Sequence, residues 1–282
     1  MSRLAWAAAS VAGVGSVRPA FAARQPPSTY PFRVTQTSVA PLAGPCLTSV
    51  LDLARDRHAE GLGVADLADH AGYSPFHFTR MFSAAVGLSP GQYLTALRIE
   101  SAKRLLLADS DPVIDIATAV GFDSLSSFSR RFRTTVGIPP AALRKLADQV
   151  ADRPPRPFRL VDETRPSIVV RPRLADGCTD GVLWLGWFPL PAPVGLPLGG
   201  VLVEAGQDVR LPIAEGAPWL LGFHVPASDD VLGQLTPEQP VVTAHPTPIT
   251  SGSGEPVVLD FGPAANVAGV PLLTALPSLC RH

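Results

Sequence analysis

The spacing of apolar residues changes twice along this chain. Before Cys46 it has no period. From Cys46 to about Ala147 apolar positions recur at helical spacing, and after a proline–arginine run, Arg153–Pro157, they fall into short blocks. In the helical stretch, Val64, Leu67, Ala68 and Ala71 stand at i, i+3, i+4, i+7, which predicts one face of a short helix. Gly72 ends it, because glycine tolerates the left-handed exit. Ser74 and Pro75 supply an N-cap and a first-turn proline for a second helix. Phe78, Phe82 and Val86 form the buried stripe of that helix, Gly87 stops it, and Ser89-Pro90 opens another.

The same order returns further on. Val113, Ile116, Ala117 and Val120 make an inner face and Gly121 a stop. Asp123 or Ser124 caps the next helix, whose stripe is Phe128, Phe132 and Val136. Gly137 ends that helix, and Pro139-Pro140 starts a last one through Leu146. Phe78, Arg80, Phe82, Val86, Gly87 and Pro90 fall on Phe128, Arg130, Phe132, Val136, Gly137 and Pro140 at a constant offset of 50, whereas Gly72 and Gly121 are 49 apart. This is an internal repeat whose second turn holds one extra residue. Two helices joined by a short glycine-containing turn fit the helix-turn-helix motif. Between the copies lies Gly91–Ala108, a helix of about 27 Å at ~1.5 Å per residue. Successive major-groove faces are about 34 Å apart. One chain can thus present two reading helices to adjacent groove segments.

The blocks after residue 160 are Ser167–Arg171, Val182–Phe188, Gly200–Val203, Trp219–Val225 and Pro256–Phe261, and 20 of the 31 prolines lie beyond residue 150. Short β-branched runs punctuated by Gly and Pro predict an all-β sandwich. The organisation expected is a disordered tail over 1–45, a bipartite helix-turn-helix domain over 46–148, a Pro/Arg linker over 149–159 and a β-sandwich over 160–276. The fold class is therefore multidomain, α followed by β.

Charge changes the picture only locally. The net charge of −1 does not advertise nucleic acid. Residues 124–147 nevertheless carry Arg130, Arg131, Arg133, Arg144 and Lys145 with no acid, and residues 76–108 carry Arg80, Arg98, Lys103 and Arg104 against Glu100 alone. Acids gather instead in 52–69. The basic face is expected on the proposed reading helices, as phosphate neutralisation requires.

Catalytic chemistry finds no constellation. His224 and His245 are isolated, Asp229-Asp230 is a lone acid pair, and the Ser-Gly-Ser-Gly run at Ser251 reads as a loop rather than a nucleophile elbow. Cys46, Cys178 and Cys280 have no ligand spacing. No enzyme activity, cofactor or metal is expected. At the start of the chain, Arg3, a weakly apolar run from Leu4 to Val17 and Ala20-Phe21-Ala22 follow the order of a secretory signal. Ser10, Gly13, Gly15 and Ser16 break that run, and export conflicts with chromosomal DNA binding, so a disordered tail or an upstream-placed start is the preferred reading.

The run VADLADHAGYSPFHFTRMFSAAVGLSPGQYLTALRIESAKRLLLADSDPVIDIATAVGFDSLSSFSRRFRTTVGIPPAALR closely resembles the DNA-binding domain of AraC/XylS-type transcription regulators. The resemblance covers about 100 of the 282 residues. It includes the linker helix LRIESAKRLLL and the signature I-A-x-x-V-G-F-x-x-x-S-x-F-S-R-x-F-R-x-x-x-G-x-x-P that begins at Ile116. One departure is Leu143, which stands where the family usually has an aromatic before the arginine.

Carried over by position, the resemblance implies base contacts by Phe76, Thr79 and Arg80 in the first copy and by Leu125, Ser126, Ser129 and Arg130 in the second. It also implies phosphate contacts by Ser74, Ser83, Arg133, Thr134 and Lys145. Arg80 and Arg130 can each fork onto guanine O6 and N7, which discriminates by about 1–3 kcal/mol. The competing reading for either arginine is a phosphate contact or an ion pair.

The resemblance further implies double-stranded operator DNA and RNA polymerase as partners, with a cytoplasmic, nucleoid-associated location and no membrane. The β domain weakly resembles transthyretin-like sandwiches over 160–275. It is expected to sense a small-molecule effector or to form a homodimer. Trp184, Trp187, Phe188, Trp219 and Phe223 either line a pocket for that effector or fill the core, and the core reading is preferred. The rival from another class is a ligand- or protein-binding module with a degenerate helix-turn-helix.

Overall fold

The structure is a computed structural model that describes residues 41–42, 44–108, 110–150, 158–175, 181–204, 206–225, 236, 241–252 and 254–262. Most of the N-terminal tail, Cys178, Cys280 and Asp229-Asp230 lie outside the described residues. The described elements all belong to one unit, Val39–His282.

Seven helices come first: α1 (Gly44–Arg57), α2 (Val64–His70), α3 (Pro75–Val86), α4 (Pro90–Ala108), α5 (Val113–Ala119), α6 (Leu125–Val136) and α7 (Pro140–Val150). Their ends show why the repeat folds alike twice. Gly72 and Gly121 turn the chain at φ +74° and +84°, a region that side-chain-bearing residues rarely enter. Ser74 accepts the His77 amide at 3.4 Å and Ser124 accepts the Ser127 amide at 3.3 Å, so Ser124 rather than Asp123 is the second cap. Ser89 and Gln92 close a reciprocal capping box at the start of α4.

Two apolar clusters result. The first joins α1, α2 and α3 to the N-terminal half of α4 through Val50, Leu67, Phe78, Phe82, Tyr93 and Leu97. The second joins the C-terminal half of α4 to α5, α6 and α7 through Ile99, Ile116, Phe128, Phe132 and Leu143. Leu143, the residue at the family's aromatic position, is fully buried there. The single helix α4 thus serves both clusters.

Both ends of the helical region differ from expectation by a few residues. The tail stops short of residue 45, because Leu42 is already buried in the first cluster and α1 begins at Gly44. Helix α7 continues past Leu146 to Val150, into the stretch expected as linker from 149. Helix propensity persists through LADQV, and the first proline comes only at 154.

The β part has eight strands: β1 (Phe158–Leu160), β2 (Ser167–Leu174), β3 (Val182–Phe188), β4 (Gly199–Glu204), β5 (Val209–Pro212), β6 (Trp219–Val225), β7 (Val241–Ala244) and β8 (Val257–Phe261). A five-stranded antiparallel sheet has the order β1-β4-β3-β6-β7, and a three-stranded sheet has the order β5-β2-β8. Within the smaller sheet β2 pairs antiparallel to β5 and parallel to β8. Ile168, Val170, Leu259 and Phe261 from the small sheet meet Leu183, Leu185, Trp187 and Leu220 from the large one in a shared apolar cluster. Strand β1 begins in the last two residues of the expected linker, and three residues are too few to show a period of two.

The large sheet departs from a simple two-layer sandwich, in which one face of each sheet meets water. Trp184, Phe188, Leu202, Leu221 and Phe223, on the face away from the small sheet, are as fully buried as Leu183, Leu185 and Trp187. The near-continuous run VLWLGWF carries this, since a strand covered on both faces does not alternate. Trp184 lies across Gly186 and Gly200, where an added Cβ would meet its ring at 2.5 and 2.3 Å. The Trp187 indole donates to the Pro212 carbonyl at 2.7 Å. Four of the five aromatic residues weighed as pocket walls are therefore core, and only Trp219 keeps partial exposure.

Candidate nucleic-acid interface

Helices α3 and α6 each turn one face inward and one outward. Phe78, Phe82, Phe128 and Phe132 are wholly buried. On the opposite side of α3, Phe76 is 74% exposed and Arg80 is also exposed, one turn further along. Thr79 and Ser83 are half-buried beside them. On α6, Leu125, Ser126, Arg130, Arg133 and Thr134 are exposed and Ser129 is half-buried. Spacings of three and four place 76, 79, 80 and 83 on one stripe, and 126, 129, 130 and 133 on its counterpart. Ser74 sits exposed at the cap of α3, and Lys145 is exposed on α7. Each of these groups is thus brought to an outward helix face or its edge.

Local bonds qualify what each group can offer. The Thr79 hydroxyl donates to the Pro75 carbonyl at 2.7 Å and the Thr134 hydroxyl to the Arg130 carbonyl at 2.9 Å. In this state each can accept a hydrogen bond but has no proton left for a phosphate. Thr134 must therefore release its backbone bond to hold one, a small cost for a bond of this type. The Arg80 guanidinium lies 5.8 Å from the centre of the Phe76 ring. This cation–π pair was missed in the sequence, although its i, i+4 spacing on a helix was there to be read. Between exposed groups such a pair is worth about 0.5–1 kcal/mol, enough to bias the Arg80 rotamer toward the ring.

The basic face is smaller than the sequence count suggests. Arg98 donates to the carbonyls of His58 and Leu62 at 2.7 and 2.9 Å, and Arg144 to those of Leu106 and Asp111 at 3.2 and 2.7 Å. In each case one carbonyl, His58 or Leu106, lies at or just beyond a helix C-terminus, where cations are favoured, and the other, Leu62 or Asp111, lies in the connection to the next helix. Arg104 pairs with Glu100 at 3.0 Å. Lys103 is buried, which pulls its ammonium down to about 8. These four cations, counted from sequence as part of the basic face, hold the scaffold instead. Arg80, Arg130, Arg131, Arg133 and Lys145 are exposed, and α3 and α6 contain no acid.

Residues 67–146 match the family described as a helix-turn-helix domain. Over 82 residues the chain is 43% identical to the HTH-type transcriptional regulator Rv1931c of Mycobacterium tuberculosis, covering 29% of this chain and 32% of that protein. Over 107 residues it is 38% identical to a putative AraC-like transcription regulator of Streptomyces lividans, covering 38% and 35%. The chain thus spans about a third of the length of these two relatives. The DNA-binding domain of AdpA, solved in complex with a target DNA, is similar at 34% identity and a TM-score of 0.35. That similarity covers 39% of this chain and 97% of that one.

Proposed function

Residues 67–146 being a helix-turn-helix domain of the AraC type, we propose that the chain is a sequence-specific transcription regulator that inserts α3 and α6 into adjacent major-groove segments of an operator. The observation that carries this reading is the pair of equivalent helices, each with a buried aromatic stripe and an acid-free outward face bearing Arg80 or Arg130. In this reading Phe76, Thr79, Arg80, Leu125, Ser126, Ser129 and Arg130 face base edges. Ser74, Ser83, Arg133, Thr134 and Lys145 position the backbone, which sets affinity rather than sequence. A protein- or ligand-binding module with a degenerate helix-turn-helix is not favoured, since it gives no reason for two acid-free faces to recur at the same offset.

RNA polymerase as a partner and a cytoplasmic, nucleoid-associated location follow from the same reading. The β unit serves in it as the sensing or dimerising part, on a sandwich of transthyretin-like type.

Selection of bound duplexes from a random library by the full chain tests the proposal. A conserved motif should emerge, and its affinity should fall with salt at a log–log slope of about −3 to −5, for three to five neutralised phosphates. Recovery of unselected sequence, or binding indifferent to salt, would refute it.

A further inference from the structure

The hairpin between β3 and β4 does not stay with the β unit. Its tip runs PLPAPVGLP from Pro189 to Pro197, and it contacts both helical clusters within six residues. Pro191 lies against Gly87, where an added Cβ would meet its ring at 3.0 Å. Ala192 is fully buried as a member of the first cluster. Val194 packs against the first cluster and the second alike. Leu196 covers Gly137 so closely that an added Cβ would sit 2.5 Å from it.

Gly87 and Gly137 are equivalent residues of the repeat, the left-handed C-caps of α3 and α6. The tip therefore grips the two copies at the same structural point. It also forms a bond there, since the Gly195 amide donates to the Thr135 carbonyl at 2.6 Å. That carbonyl is one of the last four of α6, which have no partner inside the helix.

The tip is built to stay put. Four prolines restrict its backbone, so little freedom is lost on ordering. The Val194 amide closes a tight turn onto Ala192 at 2.8 Å, and the Leu198 amide bonds the Trp187 carbonyl at 2.9 Å, anchoring the base on buried β3. Pro191 to Leu196 spans at most about 18 Å, five steps of ~3.6 Å. A segment that merely docked one domain on another would have no reason to meet both copies at matched glycines.

We propose that residues 191–196 are a strap that sets the spacing of the two reading helices, so that the β unit is part of the DNA-reading machinery. Helix α4 alone would let the copies twist about their shared axis. The contact of the Gly121 turn with the Ala59 carbonyl, where a Cβ would lie at 2.9 Å, is one further tie, and the strap is another. Because its two arms are β3 and β4, a change in the β unit reaches both reading helices at once. The consequence for DNA rests on the regulator reading above, whereas the tie itself does not.

Two measurements on the full chain separate these. In a background with Cys46, Cys178 and Cys280 changed to serine, spin labels at Ala84→Cys and Arg131→Cys report the distance between α3 and α6 without DNA. The parent should give one narrow distribution. Val194→Ser with Leu196→Ser should broaden it. Gly195→Pro, which removes the amide donor and cannot adopt φ +78°, should do the same without removing any apolar side chain, and it carries the test if the first variant unfolds the β unit. Unchanged distributions in both variants overturn the proposal.

On the duplex selected by the unlabelled parent, inserting one base pair between the two contacted blocks should cost that parent about tenfold in affinity, the scale of one mismatched pair. In the strap variants the penalty should largely vanish. A penalty that persists intact overturns the link to DNA. A parent without any preferred sequence removes the regulator reading, while the label distances still decide the strap.

Discussion

The two copies of the helix-turn-helix unit share a scaffold and differ on their surfaces. Leu67 and Ile116, Phe78 and Phe128, Phe82 and Phe132, Val86 and Val136 are paired buried positions. The capping serines also repeat, accepting equivalent amides although their φ angles differ (−64° and −151°), and so do the left-handed C-cap glycines. Outward positions diverge: Phe76 answers to Ser126, Ser83 to Arg133 and Ala84 to Thr134. Met81 is buried in the first copy, whereas its counterpart Arg131 is exposed in the second. Burial holds the shared positions to one shape, because a packed interior penalises any change of volume. Exposed positions are free to specialise. The first copy thus offers an aromatic edge and one arginine, and the second offers hydroxyls and three arginines.

That comparison can be broken most severely at the stripe. Phe78→Ala and Phe128→Ala should each lower stability by about 3–5 kcal/mol, the range for a large buried aromatic. Urea unfolding followed by circular dichroism checks this. A loss confined to one copy would show that the scaffolds are not equivalent.

A smaller effect separates reading from holding. Arg130→Ala should cost about 1–3 kcal/mol at one base position of the second block and little elsewhere. Lys145→Ala should weaken all sequences alike and reduce the salt slope by about 1. Binding to a panel of single-base operator variants distinguishes them, and parallel losses for both would reassign Arg130 to the phosphates.

Smallest are the caps. Ser74→Ala and Ser124→Ala should each cost about 1 kcal/mol in thermal or urea unfolding. Their bonds, at 3.4 and 3.3 Å, are long, so values toward about 0.5 kcal/mol are expected.

The helical half was legible because its signals are local. Glycine stops, serine caps and a 3.6-residue stripe each act within one or two turns, and their recurrence at a fixed offset exposed the duplication. Net charge by segment was a poorer guide. Whether Arg98 and Arg144 meet phosphate or protein depends on carbonyls 33 to 40 residues away, which no local pattern reveals. The same holds for Lys103, whose helix position gives no hint of its burial.

In the β half the long apolar strands were readable, but β1 and β7 were too short to register. The strap was invisible because Pro191–Leu196 looks like an ordinary proline-rich turn, and its contacts lie more than fifty residues back in the chain. Phe76 and Leu125 lie off the buried stripes of α3 and α6, and both are exposed. Their roles toward bases remain the proposal that binding must test.

The most direct measurement is a hydroxyl-radical footprint of the full chain on its selected duplex. Two protected windows on one face of the helix, centred about 10 base pairs apart as consecutive turns require, are the predicted result. A single window, or two on opposite faces, would contradict the claim that the paired helices read adjacent groove segments.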